Sequence, residues 1–144
     1  MDELAFREIL SGAVVRPCPF ERAILRSCAT CKCAERLQIA EREAVRCQAE
    51  GSHARCVALY GHLRRSFTFA LGVPRVDTPL PHGQEMRVQC GGLKGLQQTL
   101  NGDTEVENVD DLLTSALRQW GEAEDIPYSD VVHAAASAYR GRHG

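Results

Sequence analysis

The sequence predicts an all-α protein: a compact bundle of about six to seven short helices, with a cysteine-rich loop near the N-terminus. Two observations support this fold class. Apolar residues recur at helical spacing in most segments, and clusters of glycine and proline separate those segments. The chain has 144 residues, 44% of them apolar, which suits one hydrophobic core. No repeat or composition change marks a boundary, so we expect residues 1–144 to form a single domain.

In the first half of the chain, helices are predicted over residues 2–10, 20–26, 34–48 and 53–71. Proline and glycine make residues 11–19 a connector, and Cys28–Cys33 a tight turn between helices. The helix over 34–48 is predicted because one helical face would carry Leu37, Ala40, Ala44 and Cys47. The helix over 53–71 has the longest apolar stripe of the chain, with Ser52 as its cap.

In the second half, helices are predicted to end at Trp120 and near Tyr139. Asn108 or Asp110 would cap the first of these helices, and Ser129 would cap the second. Residues 86–100 leave two alternatives open. They form a helix that Gly91 and Gly92 weaken by about 1 kcal/mol each, or a short strand over 86–90 followed by a glycine turn and a helix.

The most distinctive stretch holds four of the seven cysteines between Cys18 and Cys33. Its centre, C-x2-C-x-C, places Cys28, Cys31 and Cys33 within six residues. Three adjacent small side chains contribute little to a core, whereas soft thiolates must converge to bind a metal or an iron–sulfur cluster. We therefore expect metal ligation by Cys18, Cys28, Cys31 and Cys33.

The predicted helix over 34–48 would divide the cysteines into two groups. At 1.5 Å per residue it would hold Cys33 and Cys47 roughly 20 Å apart. Cys47 and Cys56 would then lie at its far end as less favoured ligands, and Cys90 could join either group. If the helix breaks near Arg42, a different set could share one centre: Cys31, Cys33, Cys47 and Cys56.

Three close thiols with a distant fourth are typical of cluster sites, so the favoured cofactor is an iron–sulfur cluster, most simply [4Fe–4S]. Zinc is the main alternative, although zinc sites usually pair two separated C-x2-C knuckles. Copper(I) and redox-active thiols, with Cys28 and Cys31 cycling to a disulfide, are further alternatives. Core packing is the simpler interpretation of Cys47 and Cys56, although His53 could complete a three-ligand set with them.

Composition and sequence patterns make several classes of function less favoured. Net charge is −2, and residues 1–75 carry 12 Lys or Arg against 8 Asp or Glu, so the cysteine-rich half is the positive half. The chain lacks a signal-peptide pattern and a 20-residue apolar run, which predicts a cytoplasmic protein without membrane contact. Basic residues are too few for a nucleic-acid surface. No pattern indicates catalytic residues, so an enzyme is the less favoured class.

We expect electron transfer, redox sensing or cluster delivery with a protein partner; the alternative is a zinc-stabilised helical interaction module.

Overall fold

The computed structural model describes residues 15–71 and 79–139, so the helix predicted over 2–10 lies outside the described residues. The elements are α1 (Glu21–Leu25), β1 (Ala34–Ile39), β2 (Arg42–Cys47), α2 (Glu50–Leu71), α3 (His82–Met86), α4 (Gly92–Asn101), α5 (Val109–Trp120) and α6 (Tyr128–Ala138). A π-helical segment, Arg87–Gly91, joins α3 to α4, and a short 3-10 helix, Ala123–Asp125, precedes α6. None of the described helices combines the length and the apolarity needed to cross a membrane.

The all-α prediction is wrong in one region, because residues 34–47 form an antiparallel hairpin and not a helix. The register pairs Ala34 with Cys47 and Ile39 with Arg42. The chain reverses at Ala40, whose φ of 55° lies in the left-handed region. The protein is therefore mostly helical, with a two-stranded sheet among its described residues.

Two sets of contacts explain why this segment is extended. Glu35 lies opposite Arg46 in the register, and their side chains form an ion pair of 2.5 Å across the strands. The second edge of β2 is also hydrogen-bonded, since the Cys18 amide donates to the Val45 carbonyl at 2.9 Å and the Cys47 amide donates to the Arg16 carbonyl at 2.8 Å. Strand β2 thus has partners on both sides, which a helix over the same residues would not provide.

The other helices agree closely with the sequence. Helix α2 begins at Glu50, three residues before its predicted start. Asn108 caps α5 as expected, with its side-chain oxygen accepting from the Asp110 amide. Helix α6 covers Tyr128–Ala138, close to the predicted range, but Ser129 lies inside it and does not cap it as predicted. The fully buried side chains come mainly from these helices and α4: Leu59, Leu63, Leu93, Leu96, Leu113 and Val131.

The glycine-rich segment is helical, and its glycines lie where helices cross. A Cβ added to Gly95 would lie 2.4 Å from the carbonyl oxygen of Val131 in α6, and one added to Gly92 would lie 2.8 Å from Leu63 Cδ1 in α2. The alternative of a short strand over 86–90 is wrong, because the chain continues from α3 through the π-helical segment into α4. The glycines therefore allow α4 to pack closely on two neighbours.

Replacing Gly95 tests this close approach. We expect Gly95→Ala to lower the free energy of unfolding by about 1–3 kcal/mol, because the new methyl group overlaps the backbone of α6. Gly61→Ala in α2 is the matched control, because its added Cβ meets only Arg65 Nη1 at 3.7 Å. That substitution should leave stability unchanged or raise it by up to about 1 kcal/mol. Urea denaturation measures both, and equal stability of the two variants would contradict the packing described here.

A buried polar network connects α1, α2, α3 and the π-helical segment. The Tyr60 hydroxyl donates to Glu85, 2.7 and 2.9 Å from its two carboxylate oxygens. Gln89 donates to the same carboxylate at 2.9 Å and accepts from the Ala23 amide at 3.1 Å. These polar groups therefore fix α1, which leads into the cysteine-rich turn, against the helical core.

Because of this network, we expect the protein to lose stability at alkaline pH. Burial, followed by the hydrogen bond and charge of Glu85, raises the pKa of Tyr60 to about 12 from its usual 10.0. The unfolded chain releases the Tyr60 proton at a lower pH than the folded protein does. The stabilisation that this group provides is therefore intact below pH 10 and is lost as the pH rises towards 12. Between pH 9 and pH 11 the urea midpoint of the wild type should therefore fall more than that of Tyr60→Phe. Equal falls would show that Tyr60 does not carry the effect.

Candidate metal centre

Five free cysteines line one small cavity of about 20 Å³: Cys18, Cys31, Cys33, Cys47 and Cys56. The remaining walls include Phe20, Ile24 and Val109, so the surroundings of the thiols are largely apolar. A cavity of this volume holds one or two water-sized atoms. Free cysteines can be simple core residues, but five of them around one cavity are more than packing requires.

The hairpin is the element that brings these thiols together. Cys33 immediately precedes β1 and Cys47 ends β2, and the Gln48 amide donates to the Cys33 carbonyl at 2.8 Å. Cys18 lies beside β2 through its hydrogen bond to Val45, and Cys56 lies in the second turn of α2. Cysteines that a helix would hold roughly 20 Å apart therefore meet at the open end of the hairpin.

Backbone amides point at two of the sulfur atoms. Burial raises the pKa of both thiols; the amide of Phe20 opposes this rise at Cys18, and the amides of Cys33 and Asp110 oppose it at Cys31. Asp110 lies in the first turn of α5, and its amide also donates to the capping Asn108 Oδ1 at 3.2 Å. Such N–H to sulfur bonds favour the thiolate form and are a means of tuning metal–sulfur centres.

Burial raises the pKa of two of the cavity thiols, Cys18 and Cys56, far above neutral pH. Burial, with smaller contributions from Cys31 and Cys47, raises the pKa of Cys18 to about 12, although the Phe20 amide opposes the shift. Burial also raises the pKa of Cys56 to about 12, and the neighbouring thiols of Cys18, Cys31 and Cys47 add to it. A bound cation would replace these protons, so loading the site releases protons to solvent.

A polar chain borders the cavity on the Cys33 side. The Cys33 thiol lies 3.9 Å from Ser52 Oγ, and Ser52 donates to Asp110 at 2.5 Å. Asp110 also accepts from Arg55 at 3.3 Å and forms an ion pair with Lys32 at 3.5 Å. The Ser52 hydrogen bond and these two cations lower the pKa of Asp110, against the opposing effect of burial.

Cys28 and Cys90 are not among the residues that line this cavity. They form a disulfide between the cysteine-rich turn and the π-helical segment, with their Cα atoms 5.8 Å apart. Cys90 is fully buried. The structure thus brings three of the four expected ligands together with Cys47 and Cys56, and it pairs the fourth, Cys28, with Cys90.

The division into two cysteine groups is therefore wrong, because it rested on the helix over 34–48. The alternative in which the predicted helix breaks near Arg42 is closer to the structure. The four cysteines that it brought together all line the cavity: Cys31, Cys33, Cys47 and Cys56. His53 lies 3.1 Å from the Pro17 carbonyl and donates to it, so its ring is engaged by backbone. The charged residues in 35–46 suit paired strands and a solvated helix alike, so the sequence held no signal that decided between them.

Within residues 15–71 and 79–139, no three His, Cys, Asp or Glu side chains are placed to hold one metal ion together. The thiols thus share a cavity without the short spacing that a single ion bonded at about 2.3 Å to each sulfur requires. Comparison of this chain with protein-family models, curated proteins and solved structures finds no match.

Proposed function

We propose that the protein binds an iron–sulfur cluster, most simply [4Fe–4S], through Cys18, Cys31, Cys47 and Cys56. The observation that carries the proposal is the convergence of five free thiols on one cavity. Besides burial, the thiols of Cys18, Cys31 and Cys47 raise the pKa of Cys56, and we take these four cysteines as the ligand set. Four cysteine thiolates are the usual ligands of a [4Fe–4S] cluster.

A cluster is preferred to a single zinc ion because no two of the cavity cysteines have the C-x2-C spacing of the knuckles that zinc sites usually pair. Zinc needs four sulfurs around one atom, whereas the iron and sulfide atoms of a cluster lie between its ligands and hold them further apart. The cavity of about 20 Å³ is smaller than a cluster, so loading requires the walls to move outward. Cys18 and Cys31 lie on turns, outside the helices and strands, where such a shift disrupts the least hydrogen bonding.

The role of this centre, within the proposal, is electron transfer, redox sensing or cluster delivery, with another protein as partner. The amides directed at Cys18 and Cys31 support a tuned cluster, because hydrogen bonds to ligand sulfurs help to set its reduction potential. We place the protein in the cytoplasm, where the five cavity thiols remain reduced and where the Cys28–Cys90 disulfide must withstand the same reductants. These assignments describe a carrier of the cluster, not an enzyme that transforms a small substrate.

Anaerobic reconstitution tests the proposal. Metal-free protein is incubated with ferrous iron, sulfide and dithiothreitol and is then desalted. We expect a brown protein with broad absorbance near about 400 nm and about four iron and four sulfide per chain. A parallel sample receives zinc alone. A colourless product after the iron treatment, with one tightly bound zinc in the parallel sample, would replace the cluster by the zinc alternative. Binding of neither metal would reject a metal centre altogether.

A further inference from the structure

A second cavity, of about 200 Å³, lies between α2, the π-helical segment and α6, and we call it the α2–α6 cavity. It shares no lining residue with the cavity of the five thiols. Most of its wall is apolar and includes Phe67, Val132 and Tyr139. An apolar cavity of about 150 Å³ is large enough to bind benzene, so this one can hold an aromatic ring that carries a small substituent.

The π-helical segment forms one wall of the α2–α6 cavity. Arg87 and Gly91, the first and last residues of that segment, both line it. A Cβ added to Gly91 would lie 3.6 Å from Ala135 Cβ and 3.8 Å from Tyr139 Cβ, so the glycine keeps this part of the wall open. Turns of π-helix are rare, and they occur frequently at functional sites. The segment therefore makes this cavity a candidate site.

Arg87 adds a cation to the otherwise apolar lining. It is exposed, and no described residue forms an ion pair or a side-chain hydrogen bond with it. Other arginines are already paired, Arg46 with Glu35 and Arg55 with Asp110. The Arg87 guanidinium is therefore available to an anion that enters the cavity, and its planar fork fits a carboxylate through two parallel hydrogen bonds.

We propose that the α2–α6 cavity binds a small aromatic monocarboxylic acid, of which phenylacetate is a simple probe. The ring of the ligand packs against Phe67 and Tyr139, because aromatic pairs gain from offset and edge contacts beyond the area they bury. Its carboxylate binds the guanidinium of Arg87. A dianionic phosphate would leave one of its charges without a partner here, and an aliphatic acid would lose the ring contacts.

Isothermal titration calorimetry of the full-length, metal-free protein at pH 7 and low salt tests the proposal. Phenylacetate has about ten non-hydrogen atoms, and at ordinary ligand efficiency it should bind with a dissociation constant of about 0.1–1 mM. Phenylacetamide has nearly the same shape without the charge, so it should bind about tenfold more weakly. Hexanoate keeps the charge without the ring and should bind at least about twofold more weakly.

Two variants locate the ligand. Arg87→Gln should bind phenylacetate about tenfold more weakly and should no longer distinguish it from phenylacetamide. Gly91→Ala should fold, because its methyl group meets its neighbours at ordinary contact distances, and it should bind both ligands about tenfold more weakly because that methyl group takes up space in the cavity. Arg118→Gln is the matched control for the charge. Arg118 is exposed on α5 and does not line the cavity, so this variant should keep the wild-type affinity.

Absence of saturable binding at phenylacetate concentrations well above the expected dissociation constant would overturn the proposal. Equal affinity for phenylacetate and phenylacetamide would leave Arg87 without a role, and equal affinity for hexanoate would reject an aromatic ligand. A full preference for the acid in Arg87→Gln, or wild-type affinity in Gly91→Ala, would place the ligand elsewhere on the protein. None of these results bears on the proposed metal centre, because its cysteines line the other cavity.

Discussion

Cys47→Ser and Cys56→Ser should each abolish cluster retention. Both thiols are buried in the wall of the shared cavity, and no second sulfur occupies either position. Loss of an outer contact to a metal ligand typically costs 10–100-fold in affinity, so loss of the ligand itself should leave less than about a tenth of the wild-type iron after desalting. Iron and sulfide analysis, together with absorbance, measures the effect in reconstituted protein.

The control is the double variant Cys28→Ala, Cys90→Ala, which removes both disulfide cysteines and leaves all five cavity thiols. It should retain the cluster when prepared at low temperature, where the weakened fold persists. Far-UV circular dichroism establishes that each metal-free variant is folded. The ligand set from the sequence makes the opposite prediction, because it includes Cys28 and assigns Cys47 to core packing. Cluster loss from the double variant with retention in Cys47→Ser would restore that set.

The hairpin shows why the ligand set could not be obtained from the sequence. Leu37, Ala40, Ala44 and Cys47 fit one helical face, and Glu and Arg at the other positions suit a solvated helix equally well. The decision depends on long-range contacts: residues 16–18 pair with one edge of β2 through the hydrogen bonds from Cys18 to Val45 and from Cys47 to Arg16, and Val45 is fully buried. Local propensity does not contain these contacts, and tertiary structure overrides it here.

Where local signals are sufficient, the sequence predicted the elements well. The apolar stripe of α2 and the Asn108 cap of α5 are both present in the structure. Three of the four cysteines between Cys18 and Cys33 line the cavity. The folding of residues 34–47 decides which other cysteines join them at the cavity. One wrong element therefore changed the expected ligands while leaving most of the helices correct.

The disulfide between Cys28 and Cys90 should contribute several kilocalories per mole to stability. It joins residues 62 positions apart, and closing a loop of that length lowers the entropy of the unfolded chain by an amount worth about 4 kcal/mol at 25 °C. Reduction of the metal-free protein should therefore lower its unfolding free energy by about that much. The melting temperature should fall by about 10–15 °C, because 1 kcal/mol corresponds to roughly 3–4 °C at this chain length.

Urea denaturation of the wild type, with and without tris(2-carboxyethyl)phosphine, measures the contribution of the cross-link alone. The variant Cys28→Ala, Cys90→Ala adds the loss of buried sulfur volume, so it should be less stable than the reduced wild type by about 1 kcal/mol or more. The same variant should not respond to the reductant, because its five remaining cysteines are free. A wild type that unfolds at the same urea concentration in both conditions would show that this bond does not constrain the unfolded chain. The cysteine-rich turn would then be held by its backbone hydrogen bonds, such as that of Thr30 to Val106.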